Sequence, residues 1–227
     1  RNQVFACAGT AKVVFGSGFI SEAFPEWWGI TGTADDVAIN AAIQAAPKGI
    51  KVSLQATTYT TTGTILINRN VPLVGVGITN EPSVVGTIID CSGVTGVGIS
   101  ITNNVTSLAH HKLEGFWLKA GDGTAASSVT AGVKIGINCS YWTLKDVRVT
   151  GCTDGVMTGT GVQTGLYVAG DRATGVYTGP VAQAGNFSGT IEGCQFRLND
   201  VGIVLGTSAQ NTMLIKTMVA SNYSWGL

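Results

Sequence analysis

Asp146 lies in "LKDVRV" and Glu192 in "IEGCQF", two hexapeptides that align without a gap. Residues so related stand on adjacent strands when the chain repeats the same path. Paired carboxylates are what acid–base cleavage of a glycosidic bond requires, about 5–5.5 Å apart for retention and roughly 6.5–9.5 Å for inversion. Same-column residues on neighbouring passes suit the first spacing and diagonal pairs the second. Asp171, in a long insertion, could reach either partner. A lyase would need a base for the C5 proton and a cation beside the enolate, for which Asp146 with Arg148 or Arg197 is a minimal set. Trp117 offers a plate for the apolar face of a sugar, or packs beneath a loop. Arg148, Arg197 and Arg172 offer donors to hydroxyls or uronate carboxylates. Tyr167 and Tyr177 flank or lie in the insertion "YVAGDRATGVYTGPVAQAGNFSG", which is either a binding loop or a plain excursion.

The elements that position these residues follow from the repeat. "LEGFWLKAGDGTA" from Leu113, "LKDVRVTGCTDGV" from Leu144, "IEGCQFRLNDVGI" from Ile191 and "IKTMVASNYSWGL" from Ile215 align throughout. Their first, fourth and sixth positions are apolar or small: Leu113/Phe116/Leu118, Leu144/Val147/Val149, Ile191/Cys194/Phe196 and Ile215/Met218/Ala220. Inward positions two apart have the period of a strand. Gly155, Gly202 and Gly226 precede the next apolar residue, where a tight corner with positive φ is expected. Short strands of this kind cannot bury their apolar face alone, but stacked copies bury a continuous column. The expected fold is all-β, a right-handed single-stranded parallel β-helix. A sandwich would not repeat its core in register, and propeller blades are longer.

Stacking places outward residues in columns about 4.8 Å apart. The second position reads Glu114, Lys145, Glu192, Lys216, the alternating charge of a solvated ladder. The third, fifth and seventh positions hold Gly115/Trp117/Lys119, Asp146/Arg148/Thr150, Gly193/Gln195/Arg197 and Thr217/Val219/Ser221, a face with room for a ligand.

Composition narrows the function classes. Charged residues are 11% and aromatics 7%, Gly is 32 of 227, and acids balance bases at 13 each. Without clustered Lys or Arg, nucleic acid is not the expected partner. Uncharged runs are broken by Gly and Thr, so no membrane-spanning helix is expected. Five scattered cysteines, Cys7, Cys91, Cys139, Cys152 and Cys194, form no CxxC pair and read as small buried hydrophobes. Neighbouring His110 and His111 point to opposite sides of a strand, one buried and one exposed. No metal or other cofactor is expected. Asp122, Asp154 and Asp200 fit corners, where Asp favours turns without calcium.

One segment departs from the β pattern. In "FPEWWGITGTADDVAINAAIQAA", Thr33 is placed to cap a helix, and Asp35 and Asp36 occupy its dipole-favoured start. Ile39, Ala42, Ile43 and Ala46 form one apolar face. The exposed core at the end of a repeat stack needs a cap. The helix is that cap, and Trp27 and Trp28 pack where the stack begins.

With "KVSLQATTYTTTGTILI" and "VPLVGVG", this segment resembles the start of pectate-lyase-like right-handed parallel β-helix proteins, and its Pro-Glu-Trp-Trp-Gly is similar to phage tailspikes and polysaccharide depolymerases. The specific motifs span residues 24–77. The chain departs from the pattern at Ile30–Thr33, where the family has Asp-Gly, and at Gln55-Ala56, where Pro-x-Gly is common. The resemblance implies a homotrimeric virion protein of the phage tail. Such a protein contacts other tail or baseplate proteins, and binds and depolymerises a bacterial surface polysaccharide. Two alternatives are a monomeric secreted bacterial lyase or glycosidase and a non-catalytic β-helical adhesin or virion structural protein. The expected organisation is a short β segment over 1–23, a cap region over 24–50 and the β-helix over 51–227, continuing beyond Leu227.

Overall fold

A computed structural model describes residues 4–5, 13–78, 86–102, 110–123, 125–136, 139, 141–153, 163–168, 186–205, 209–210 and 212–222. The protein is mostly β, and every described strand pairing is parallel.

The chain opens with β1 (Glu22–Ala23), a 3-10 turn at Pro25–Trp28 and α1 (Asp36–Ala45). It then makes successive passes between two sheets. The first pass gives β2 (Lys51–Ser53), β3 (Thr58–Thr60) and β4 (Ile65–Ile67), and the second β5 (Leu73–Val74), β6 (Ile88–Asp90) and β7 (Gly96–Ile101). The third gives β8 (Lys112–Lys119) and β9 (Val129–Ile135). The fourth gives β10 (Thr143–Thr150), β11 (Thr164–Val168) and β12 (Asn186–Phe187). The fifth gives β13 (Thr190–Glu192), β14 (Gln195–Arg197), β15 (Val201–Leu205) and β16 (Ala209–Gln210), and the last β17 (Met213–Ile215) and β18 (Met218–Ala220). An 11-stranded sheet takes β1, β2, β3, β5, β6, β8, β10, β13, β14, β17 and β18, and a 5-stranded sheet runs β15-β11-β9-β7-β4. The strands β12 and β16 pair separately.

The expected repeat is the register of the first sheet. Leu113, Leu144 and Ile191 align, as do Phe116 with Val147 and Leu118 with Val149 and Phe196, all fully buried. Backbone conformation explains the odd spacing of the inward positions. The residue at the third position takes a left-handed conformation in four passes: Gly115 (φ 70°), Asp146 (φ 50°), Gly193 (φ 64°) and Lys216 (φ 47°). That residue turns the chain and restarts the two-residue alternation, so the side chains two before it (Leu113, Leu144, Ile191) and one after it (Phe116, Val147, Cys194) both face the core. A second left-handed column, Gly151, Leu198 and Ser221, ends the strands.

The expected alignment slips by one residue in its last copy. Ile191 pairs with Leu214 rather than Ile215, and Phe196 with Val219. The inward set there is Leu214/Thr217/Val219, and Lys216 occupies the corner instead of the charge ladder. The left-handed site accounts for the slip, since it fixes which residue turns. The expected corner at Gly202 is also corrected: this glycine lies inside β15, whereas Gly155 and Gly226 fall outside the described residues. Gly202 belongs to a column with Gly98, Gly132 and Gly165 on the second sheet. There, absent side chains make room for the opposite wall. A Cβ on Gly132 would lie 2.4 Å from Val149 Cγ1 and 3.2 Å from Cys152 Sγ.

The helix covers the start of this core with Ala38, Ile39, Ala42 and Ile43. Thr33 is not its cap. Asp35 holds that position, and its side chain bonds elsewhere: Oδ1 accepts from the Thr31 and Gly32 amides at 2.8 Å each, and Oδ2 from Thr60 N at 3.0 Å. Asp36 Oδ1 accepts from Thr62 N at 3.0 Å. Asn40 Oδ1 accepts from Leu66 N at 2.8 Å, while its Nδ2 donates to Thr64 O at 3.0 Å. The side chains of α1 thus serve the free backbone groups of the first strands. Trp27 and Trp28 pack against the core within an aromatic cluster that includes Phe5, Phe15 and Phe24. Cys91, Cys139, Cys152 and Cys194 are buried free thiols, as expected, while Cys7 lies outside the described residues.

Candidate functional site

The outward side of the first sheet collects the described candidates. Trp117, Arg148 and Gln195 form one column on β8, β10 and β14. Lys119, Thr150 and Arg197 form the next, two residues along. Trp117 is half-buried and donates from Nε1 to Thr150 Oγ1 at 2.9 Å. The Arg148 guanidinium lies 5.5 Å from the Trp117 ring centroid, within range of a cation–π contact. Its Nε and one terminal nitrogen both donate to Gln195 Oε1, at 3.1 and 2.9 Å. Burial, and then the neighbouring Arg197 charge, draw the Arg148 pKa below its ordinary value.

This geometry corrects two expectations. Arg148 is not an open donor: it is buried and held between Trp117 and Gln195. Thr150, expected on the open face, is buried at 6% exposure and holds the indole in place. Arg197 is the exposed cation of the set, and Lys119 pairs with Asp90 at 3.6 Å. Gln195 and Thr150 were not singled out among the candidates, although both stand at outward positions of the same repeat.

The carboxylates sit at the edge of this face. Asp146 is exposed at the left-handed corner, and Glu192 ends β13 one residue before the matching corner, Gly193. Because Lys145 pairs with Glu192, Asp146 and Glu192 are diagonal neighbours on adjacent passes. The Asp146 carboxylate reaches toward the next pass, and a Cβ on Gly193 would lie 2.3 Å from its Oδ1. Glu114, Lys145 and Glu192 stand in one register column as expected, and the ion pair of Glu114 is with Lys112 on its own strand. Asp171, Arg172 and Tyr177 lie outside the described residues. Tyr167 is on β11 of the other sheet, away from the carboxylates.

Other candidate chemistry resolves into structure. His111 is buried and His110 exposed, stacking on Tyr141 at 5.2 Å between ring centroids. Asp200 is buried and accepts from Thr153 Oγ1 at 2.6 Å. Among the described residues no group of His, Cys, Asp and Glu could hold a metal ion, and no helix is long and apolar enough to cross a membrane.

No family model and no curated protein matches the sequence. Solved structures do. ORF18 of Geobacillus virus E2 superposes with a TM-score of 0.55 at 20% identity, covering 87% of this chain and 42% of that one. The catalytic unit of the thermostable GH87 alpha-1,3-glucanase from Streptomyces thermodiastaticus strain HF3-3 superposes with a TM-score of 0.51 at 14% identity, covering 94% of this chain and 38% of that one. The chain therefore spans about two fifths of the length of each structure. At these identities the likeness is one of fold: the chain shares the parallel-sheet architecture of a phage protein and of a polysaccharide-degrading enzyme.

Proposed function

We propose that the passes are coils of a right-handed single-stranded parallel β-helix, and that the chain belongs to a phage tailspike-like protein that binds and depolymerises a bacterial surface polysaccharide. Right-handedness is the rule for parallel crossover connections. The observation that carries the functional reading is the register of β8, β10, β13 and β14. It brings Trp117, Arg148 and Arg197, with Asp146 and Glu192 at their edge, onto adjacent strands from three successive passes. A phage protein and a glucanase of like fold support the same direction.

In this reading Arg197 and the Trp117 edge hold a sugar chain, while Arg148 positions the indole from behind. Asp146, exposed and at a corner, is one member of the acid–base pair and Glu192 the other. Hydrolysis would pass a proton from one carboxyl to the leaving oxygen while the other attacks or activates water. Elimination would use Asp146 as base toward C5, with Arg197 beside the developing negative charge. The chain would act within a homotrimer carried on the virion.

Incubation with a panel of capsular and lipopolysaccharide O-chains tests this. New reducing ends identify hydrolysis, and an ultraviolet-absorbing unsaturated uronate identifies elimination. Asp146→Ala and Glu192→Ala are each expected to reduce cleavage by at least about a hundredfold. Unchanged rates in folded variants would overturn the assignment. Trimer mass in solution tests the assembly.

A further inference from the structure

The second sheet has its own outward groove, on a different face from the carboxylates. Along β7, β9 and β11 a glycine separates an outward residue from an inward one: Val97-Gly98-Ile99, Ala131-Gly132-Val133 and Thr164-Gly165-Leu166, in register. Ile99, Val133 and Leu166 are fully buried, whereas Val97, Ala131 and Thr164 line one wall of the groove. The opposite wall is the next outward column, Leu66, Ser100, Lys134 and Tyr167. The glycines let the sheet bend between the two walls.

Two hollows of about 540 and 340 Å³ adjoin at Val97 and Lys134, which line both. Asn40 and Gln44 of α1 close it at one end and Val204 of β15 lies at the other. Its run from β4 to β15 crosses four strand spacings, roughly 19 Å. That length suits an oligosaccharide rather than a single sugar.

The lining points to the chemistry of the occupant. None of the lining residues is acidic. Lys134 is the charged one; it forms no ion pair among the described residues and lies 5.9 Å from the Tyr167 ring centroid. Thr164, only 5% exposed, has a hydroxyl with no hydrogen-bond partner among the described residues. A buried polar group of this kind is commonly matched by a ligand or water. Hydroxyls, a tyrosine ring and one cation without a carboxylate suit a sugar chain that carries negative charge.

We propose that this groove binds an anionic oligosaccharide, one bearing uronate-type carboxylates, across the strands of the second sheet without cleaving it. The proposal rests on the polysaccharide-binding reading and adds a second, non-catalytic contact face to it. Lys134 meets a carboxylate, Tyr167 and Leu66 meet apolar sugar faces, and Thr164 and Ser100 meet hydroxyls.

Calorimetric titration of the whole chain with a galacturonate oligomer and with a neutral malto-oligomer of equal length tests it. Lys134→Gln and Tyr167→Ala are compared with Lys145→Gln, a control on the other sheet. The wild-type chain is expected to bind the uronate oligomer at least about tenfold more tightly than the neutral one. Lys134→Gln should remove that preference, Tyr167→Ala should weaken both, and Lys145→Gln should change neither. All three side chains point outward, so unfolding temperatures should stay at the wild-type value. Equal affinity for the two oligomers, or unchanged binding by the groove variants, overturns the proposal. If the chain cleaves a capsule while the groove variants bind and cleave it normally, the groove assignment falls and the depolymerase reading stands. If the chain neither binds nor cleaves any glycan, both fall.

Discussion

The carboxylate of Asp146 rests over the α-carbon of Gly193 on the next pass, so that a Cβ at Gly193 would lie 2.3 Å from Asp146 Oδ1. Both residues are left-handed, at φ 50° and 64°, and they occupy one corner column. Their exchange properties are therefore opposite. Gly193→Ala puts a β-carbon on a left-handed backbone and makes the exposed Asp146 carboxylate swing aside, so a loss of about 1–2 kcal/mol is expected in urea unfolding. Asp146→Gly relieves the same conformation and should leave stability equal or higher by about 1 kcal/mol. Loss of cleavage by this stable variant would place Asp146 in the reaction; full cleavage would remove it.

Gly132 makes the equivalent point in the interior. Its missing side chain admits Val149, whose Cγ1 would be 2.4 Å from an added Cβ, with Gly165 O at 2.9 Å. Gly132→Ala is expected to destabilise by about 1–3 kcal/mol through overpacking. Adding Val149→Ala should recover part of that loss, measurable as non-additivity in a double-mutant cycle. Strict additivity would show that the two sites do not share space.

Asn199 is fully buried, and its Oδ1 accepts from Cys152 N at 3.0 Å. Its backbone N and Nδ2 both donate to Asn222 Oδ1, at 3.1 and 3.2 Å, and Asn222 Nδ2 continues to Phe196 O at 3.0 Å. Asn199→Ala leaves the Cys152 amide buried without this acceptor, and a loss of about 1–3 kcal/mol in equilibrium unfolding is expected. A neutral result would mean that another acceptor takes over.

His111 links stability to pH. Burial pushes its imidazole down to about 4, below the ordinary 6.5. The unfolded chain therefore takes up a proton at a higher pH than the folded one. The contribution is complete above about pH 6.5 and is lost as pH falls toward 4, up to about 3 kcal/mol in all. Unfolding temperatures measured between pH 7 and pH 4 should fall more steeply for the wild type than for His111→Phe. Parallel curves would exclude His111 as the source.

Much of the architecture was legible because the core repeats. Leu113, Leu144 and Ile191 were aligned by type alone, and they pair in register. The last copy slipped because Ile215 and Leu214 are equally apolar, and only the conformation of Lys216 decides between them. Left-handed lysine and aspartate carry no sequence signature as glycine does. The first-sheet face was legible as a set of outward positions but not as contacts. Nothing in residue types reveals that Gln195 and Trp117 enclose Arg148. The second-sheet groove did leave a trace, a glycine before each inward aliphatic at Gly98, Gly132, Gly165 and Gly202, but of these only Gly202 entered the repeat, where it was read as a corner.

The side chains of α1 also give the molecule a direction. The backbone groups of the first strands are met by groups that precede them: β1 pairs with β2, Asp35 and Asp36 bind Thr60 and Thr62 at the end of β3, and Asn40 binds Thr64 O and Leu66 N on either side of Ile65 in β4. During synthesis that end emerges first. A nascent chain would therefore present an adhesive edge toward the residues still to be made. Assembly would proceed as templating, each finished pass serving as the mould for the next.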